Sequence, residues 1–163
     1  MDVIKRNFFA LLKAGAFGET HSVEPMSAHK WRKLFAVMGV HEVVPYAWAG
    51  YNKQQLPFVQ HVPKNIIHDL RNCQHAASTL KYESAQLSNG LLNKRLNNIR
   101  HNEPHAIDTS TETVHVLNII VHNIETMLNK GVVLRGIVDL GIYLRTMGHK
   151  IDFIKLENWL TKL

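Results

Sequence analysis

The stretch TSTETVHVLNIIVHNIETMLNKG, from Thr109 to Gly131, decides the fold class. Its apolar residues recur every three or four positions, which is the spacing of one helix face, at Val114, Leu117, Ile120, Val121, Ile124 and Leu128. The segment from Thr109 to Glu112 has the pattern of a capping box, and Gly131 is a typical helix stop. The stretch therefore predicts an amphipathic helix with both ends marked.

The same spacing continues through the chain, whereas strict alternation of apolar and polar residues is almost absent. We therefore predict an all-α helical bundle that forms a single domain over residues 1–163. Residues that favour helix ends separate the apolar runs, with capping side chains at Asp2, Ser27 and Asp152 and stops at Gly15, Gly18 and Gly39.

The longest predicted element is a helix from Lys64 to about His101, because these 38 residues contain no proline and keep a seam of apolar or small side chains. A change of register after Ser88-Asn89-Gly90 predicts a kink at the glycine. At 1.5 Å per residue such a helix reaches about 57 Å, which exceeds a domain diameter of roughly 40 Å. The excess length predicts a helix that bends, protrudes from the domain, or contacts a partner protein, which includes a second copy of this chain.

The net charge of +6 is distributed unevenly. Residues 1–101 hold 13 basic and 6 acidic side chains, and residues 102–163 hold 6 and 7. We therefore divide the predicted domain into a basic lobe over 1–101, a linker over 102–108 and a near-neutral three-helix lobe over 109–163.

Basic side chains along the long helix are the candidate nucleic-acid contacts, because a basic helix can line phosphates. These candidates are Arg71, Lys94, Arg95 and Arg100. A solvated helix face without a ligand is the alternative interpretation of the same charges.

The sequence lacks the motifs that are typical of several enzyme classes. The chain has no P-loop, no Gly-x-Gly-x-x-Gly and no Gly-x-Ser-x-Gly elbow, and its five aspartates form no Asp-x-Asp pair that could hold two magnesium ions. The histidine pairs His68–His75 and His115–His122 are each seven residues apart, about 10.5 Å along a helix, which is too far for one ion. We therefore predict no catalytic residue, no metal and no cofactor.

The single cysteine, Cys73, is predicted to be a buried structural thiol on the long helix, and it indicates a reducing compartment such as the cytoplasm. No run of about 18 apolar residues is present, so we expect no membrane-spanning helix.

An arginine with a nearby histidine on a helix is typical of HEPN-type ribonucleases, which are small α-helical proteins. Arg71-Asn72-Cys73-Gln74-His75 is similar to that pattern, with three residues between Arg and His where the family usually has four to six. Arg100 and His105 have the family's spacing, but Pro104 interrupts a helix between them. A HEPN-like ribonuclease that uses Arg71 and His75 is therefore an alternative hypothesis.

Two regions of the chain resemble the helical parts of a bacterial, uncharacterised nucleotidyltransferase family. The first comprises NFFALLKAGAFGE over 7–19 and EPMSA over 24–28, and the second comprises LRGIVDL over 134–140 and GHKIDF over 148–153. The resemblance implies nucleotidyl transfer from a magnesium-bound nucleotide, yet the Gly-Ser turn and acidic pair of the catalytic core are missing. It therefore implies a stand-alone relative of the helical flanks, and we expect a non-catalytic binding or assembly module of a bacterial cytoplasm.

Overall fold

The computed structural model describes residues 2–19, 21–53, 62–72, 82–103 and 111–163. Over these residues the chain forms eight α-helices and two 3-10 turns and no strand, which confirms the predicted all-α fold. The helices are α1 Val3–Phe17, α2 Ala28–Val40, α3 Val44–Lys53, α4 Lys64–Asn72, α5 Gly90–Asn102, α6 Thr111–Lys130, α7 Leu134–Met147 and α8 Phe153–Lys162. The 3-10 turns span Tyr82–Ser84 and Gly148–Lys150.

The chain divides into two compact units, Met1–Leu80 and Lys81–Leu163, so that α1 to α4 form the first unit and α5 to α8 the second. Helix α5 therefore belongs with the C-terminal helices, whereas we had placed it in a basic lobe over 1–101. The reason is Leu96, which is fully buried in a core that also contains Leu117 and Trp159.

This division also changes the charge distribution. The first unit holds 9 basic and 5 acidic residues and the second holds 10 and 8, so the balances are +4 and +2. The two units therefore differ much less in net charge than the two predicted lobes do.

The predicted single helix over 64–101 is wrong. Residues 82–84 form a 3-10 turn and residues 85–89 are not helical, so the described residues do not form one continuous helix. The cause is local, because the side chain of Asn93 donates to the Leu87 carbonyl at 2.5 Å and accepts from the Leu87 N–H at 2.7 Å. Asn89 then caps α5 by accepting from the Leu91 N–H at 2.8 Å. Short polar side chains that bind nearby backbone compete with helical hydrogen bonds, so the predicted kink is the start of a new helix.

In the first unit, α1 and α3 cross at two glycines. A Cβ atom on Gly15 would lie 1.8 Å from the Tyr46 carbonyl oxygen, and one on Gly50 would lie 2.1 Å from the Leu11 carbonyl oxygen. The two backbones therefore approach more closely than any other residue type allows. Gly15, which we predicted to end α1, lies inside the helix, and Gly18 ends it with φ at 73°.

The segment that follows α1 is fastened to it by Asn7, which is completely buried. Its side-chain amide donates to the Glu24 carbonyl and accepts from the Glu24 N–H, both at 2.8 Å. Arg6 adds an ion pair with the Glu24 carboxylate. Glu24 is thus held to the first turns of α1 through both its backbone and its side chain.

Several other predicted helix ends are confirmed. Ser27 caps α2 by accepting from the Lys30 N–H, Asp152 caps α8 by accepting from the Lys155 N–H, and Gly131 follows α6 with φ at 87°. Asp2 precedes α1, but its side chain makes no capping hydrogen bond. Helix α2 continues past Gly39 to Val40.

Helix α6 is the central helix of the second unit. Helices α7 and α8 and the 3-10 turn at 82–84 all pack on it. Its buried residues Val116, Leu117 and Val121 form the core together with Leu96 of α5 and Trp159 of α8. The predicted C-terminal three-helix arrangement is thus present in α6 to α8, and α5 joins it as a fourth helix.

Candidate functional site

The four predicted phosphate contacts do not form one row on one helix. Arg71 is exposed in the last turn of α4, in the first unit. Lys94 and Arg95 are exposed on α5, in the second unit, and Arg100 follows them on the same helix. Only Lys94 and Arg95 therefore remain together as neighbouring exposed cations.

Arg100 faces the interior of the second unit. Its Nε donates to the Asn118 side-chain oxygen at 2.7 Å, and Asn118 is itself buried on α6. Burial lowers the pKa of the Arg100 guanidinium, while the negative charges of Glu83 and Glu125 act in the opposite direction. This arrangement indicates that Arg100 joins α5 to α6.

A groove of about 460 Å³ lies between α5 and α8. Its lining residues are Arg95, Asn98, Ile99 and Glu103 of α5 and Trp159 and Lys162 of α8. The positions on α5 are separated by three, one and four residues, and Lys155, Trp159 and Lys162 follow one another at four and three, so each helix contributes one face.

Basic residues of both helices line this groove, Arg95 from α5 and Lys162 from α8. The Arg95 Nη1 donates to the Lys162 carbonyl oxygen at 2.7 Å, which fixes the guanidinium at the C-terminal end of α8. A cation at this end of a helix is favourable because the helix dipole is negative there. Lys94 is exposed and directly precedes Arg95 on α5.

One lining residue, Glu103, forms an ion pair with Lys155 of α8. The Lys155 ammonium lies 3.1 Å from the Glu103 carboxylate and 6.0 Å from the centre of the Trp159 ring. The two charged side chains are only 20% and 24% exposed. Trp159 itself is buried, so its ring forms a floor that is continuous with the hydrophobic core.

The sequence reasoning found Arg95 but missed its partners on α8. Lys162 is 67 residues away along the chain, and we had assigned its helix to a near-neutral lobe. The signal was nevertheless present in Lys155, Trp159 and Lys162, whose spacing places a basic, an aromatic and a basic side chain on one helix face.

A second polar cluster lies around Tyr82. Its hydroxyl donates to Asp139 of α7, and the Arg135 Nε donates to the same carboxylate at 2.9 Å. The Tyr82 ring contacts His115 and His122 edge-on, at centroid distances of 6.0 and 5.3 Å. Because the side chains of Arg135 and Asp139 are each only 9% exposed, this cluster fastens the 3-10 turn to α6 and α7.

The histidines of α6 thus pack against an aromatic ring. Across the residues that the structure describes, no group of three or more histidine, cysteine, aspartate or glutamate side chains is arranged to hold a metal ion. His75, Cys73, Pro104 and His105 lie outside the described residues, so the Arg71–His75 hypothesis, the Arg100–His105 spacing and the buried thiol stay predictions. Most of the predicted linker over 102–108 lies outside them as well.

Comparison with known proteins finds no matching family model and no characterised protein or solved structure with significant similarity to this chain. None of the described helices combines the length and apolarity needed to cross a bilayer. The site is therefore interpreted from its own geometry.

Proposed function

We propose that this chain is a non-catalytic helical binding module whose ligand is a nucleic acid, and that the groove between α5 and α8 receives the phosphate backbone. The observation that carries the proposal is that two basic residues, Arg95 of α5 and Lys162 of α8, line one concave surface. Lys94 adds a neighbouring exposed positive charge on α5.

A solvated helix face requires only that charges point toward water. It does not require cations from two helices, 67 residues apart in sequence, to border one groove. Phosphate groups gain affinity from such convergence because each neutralised phosphate releases condensed counterions. Arginine also presents several N–H donors in a planar fork that suits phosphate oxygens. The geometry thus favours an anionic ligand over a face without a ligand.

The proposal differs from assembly through a long helix. That hypothesis depended on a helix of 38 residues, whereas α5 contains 13 residues and extends about 20 Å. A length of this order fits within a single unit, so excess helix length no longer argues for a protein partner or a second copy.

Two further expectations belong to the same proposal. The chain is a stand-alone relative of the helical flanks in the nucleotidyltransferase family, and no catalytic residue of that family is carried over to it. Its compartment is the bacterial cytoplasm, in accordance with its single cysteine.

Fluorescence anisotropy with labelled single-stranded RNA, single-stranded DNA and duplex DNA tests the proposal. We expect affinity to fall as salt rises, and we expect the double substitution Arg95→Gln with Lys162→Gln to weaken binding about tenfold or more at low salt. Two lost phosphate contacts reduce the slope of log K against log salt by about 1.4 for a single strand.

The matched control is Arg32→Gln with Lys33→Gln, which removes the same two charges from an exposed face of α2 in the first unit. This control should change affinity less than the groove double substitution and leave the slope nearly unchanged. Equal losses in the two double variants would show that only the net charge matters, and would reject the groove. Circular dichroism of both variants checks that their helices are intact.

A further inference from the structure

Glu103 occupies a distinctive place in the groove between α5 and α8. Among the described residues that line the groove it is the acidic one, and its carboxylate lies 3.1 Å from the Lys155 ammonium. Both side chains are largely covered, so this pair is better shielded from solvent than a surface ion pair. A carboxylate thus lies beside a cation where, on the proposed function, a phosphate is expected.

We propose that Glu103 is an internal competitor for phosphate, and that a bound nucleic acid displaces it from Lys155. This inference rests on the proposed function of the same groove. The Lys155 ammonium has three N–H donors and no acceptor, so it can exchange one oxyanion for another without changing its own protonation. A phosphate oxygen that replaces Glu103 would make Lys155 a further contact beside Arg95 and Lys162.

This exchange of anions at Lys155 determines which kind of ligand gains the most affinity. An isolated anion must compete with a carboxylate that is already positioned by the chain, so it gains little from Lys155. A polyanion that is already held at Arg95 and Lys162 presents its next phosphate at a high effective concentration and competes more successfully. The ion pair therefore favours a nucleic-acid strand over inorganic phosphate.

The substitution Glu103→Gln tests this inference because it removes the negative charge and keeps the size of the side chain. We expect it to tighten single-stranded RNA binding about three- to tenfold at low salt. We also expect the slope of log K against log salt to stay nearly unchanged, because Lys155 contacts a phosphate in both chains once Glu103 has been displaced. Inorganic phosphate should compete better against RNA in this variant than in the unaltered chain.

Glu157 provides a matched control on α8. It is exposed and follows Lys155 by two residues, which places it about 200° around the helix and away from the groove. Glu157→Gln changes the net charge by the same amount and should leave the affinity for RNA nearly unaltered. The double variant Glu103→Gln with Lys155→Gln should lose the gain in affinity and have a slope shallower by about 0.7, because the cation that contacts the phosphate is then absent.

The outcomes separate this inference from the proposed function. If Arg95→Gln with Lys162→Gln weakens binding but Glu103→Gln behaves like Glu157→Gln, the groove binds nucleic acid and the competitor role is refuted. If the unaltered chain binds weakly and only Glu103→Gln binds well, the competitor role is supported. If none of the variants binds RNA or DNA, both proposals are refuted.

Discussion

The crossing of α1 and α3 makes a specific prediction about stability. In Gly15→Ala the new Cβ atom would begin 1.8 Å from the Tyr46 carbonyl oxygen, whereas ordinary contact starts at 3.4 Å. The helices must therefore separate by about 1.6 Å at this point, since the obstacle is backbone and cannot move aside as a side chain can.

The size of the expected destabilisation follows from the packing contacts that such a separation disrupts. A gap of 0.5–1 Å already forfeits roughly a quarter to a half of a dispersion contact, and overpacking of a core typically costs about 1–3 kcal/mol. We expect the upper part of that range or more, because Leu11 and Ala47 are buried on the two crossing helices. The better helix propensity of alanine returns up to about 1 kcal/mol, so the net loss should be at least about 2 kcal/mol.

Hydrogen exchange measured by mass spectrometry provides the assay, because it reads α1 and α3 separately from the second unit. A loss of 2 kcal/mol corresponds to about 30-fold faster exchange of the amides that are protected by this crossing. Gly39→Ala is the control, since its new Cβ atom would meet no atom within 4 Å apart from its chain neighbours and the backbone of its own helix, and the helix should be unchanged or slightly stabilised. Unchanged exchange of α1 and α3 in Gly15→Ala would refute the close crossing.

Three further predictions concern individual polar contacts. Asn7→Ala should destabilise the first unit by about 2 kcal/mol or more in urea unfolding, because it leaves the N–H and carbonyl of Glu24 without their partner; an unchanged midpoint would contradict this. Tyr82→Phe should lower the stability of the second unit by about 1 kcal/mol, because one hydrogen bond is lost while Arg135 keeps the Asp139 carboxylate paired. A much larger loss of stability would show that the hydroxyl contributes more than this one hydrogen bond. The hydrogen bond from Arg6 lowers the pKa of Glu24, so its stabilisation is present above the ordinary pKa and is lost as pH falls through the folded value; Glu24→Gln should therefore flatten the acid limb of stability against pH between roughly pH 5 and pH 3.

Helix class and several helix ends could be predicted because their causes are local in sequence. The 3.6-residue period identifies α6, and Ser27 and Asp152 cap the helices that they immediately precede. The break before α5 was harder to foresee, although its cause is also local. The change of register after Ser88-Asn89-Gly90 predicts a kink at this point, but only the hydrogen bonds between Asn93 and Leu87 show that the chain leaves the helix before it.

Features that join distant residues could not be predicted from one sequence. Gly15 has the appearance of a helix stop, and its role in packing depends on Gly50, which is 35 residues away. Arg95 was identified by its charge alone, whereas the groove depends on Lys162 and on the Trp159 floor. Arg100 has the same charge but is directed toward Asn118, so charge and spacing cannot separate a surface cation from an interior one.

The three tryptophans allow the most direct test of the groove. Trp31 and Trp48 are buried in the first unit, and Trp159 lines the groove between α5 and α8 in the second. In a full-length ¹⁵N-labelled chain, the indole N–H resonances can be followed by NMR while single-stranded RNA is added at low salt. We predict that the Trp159 resonance shifts with the binding curve and that the Trp31 and Trp48 resonances do not move. An unmoved Trp159 resonance in a chain that binds RNA would contradict the groove as the binding site.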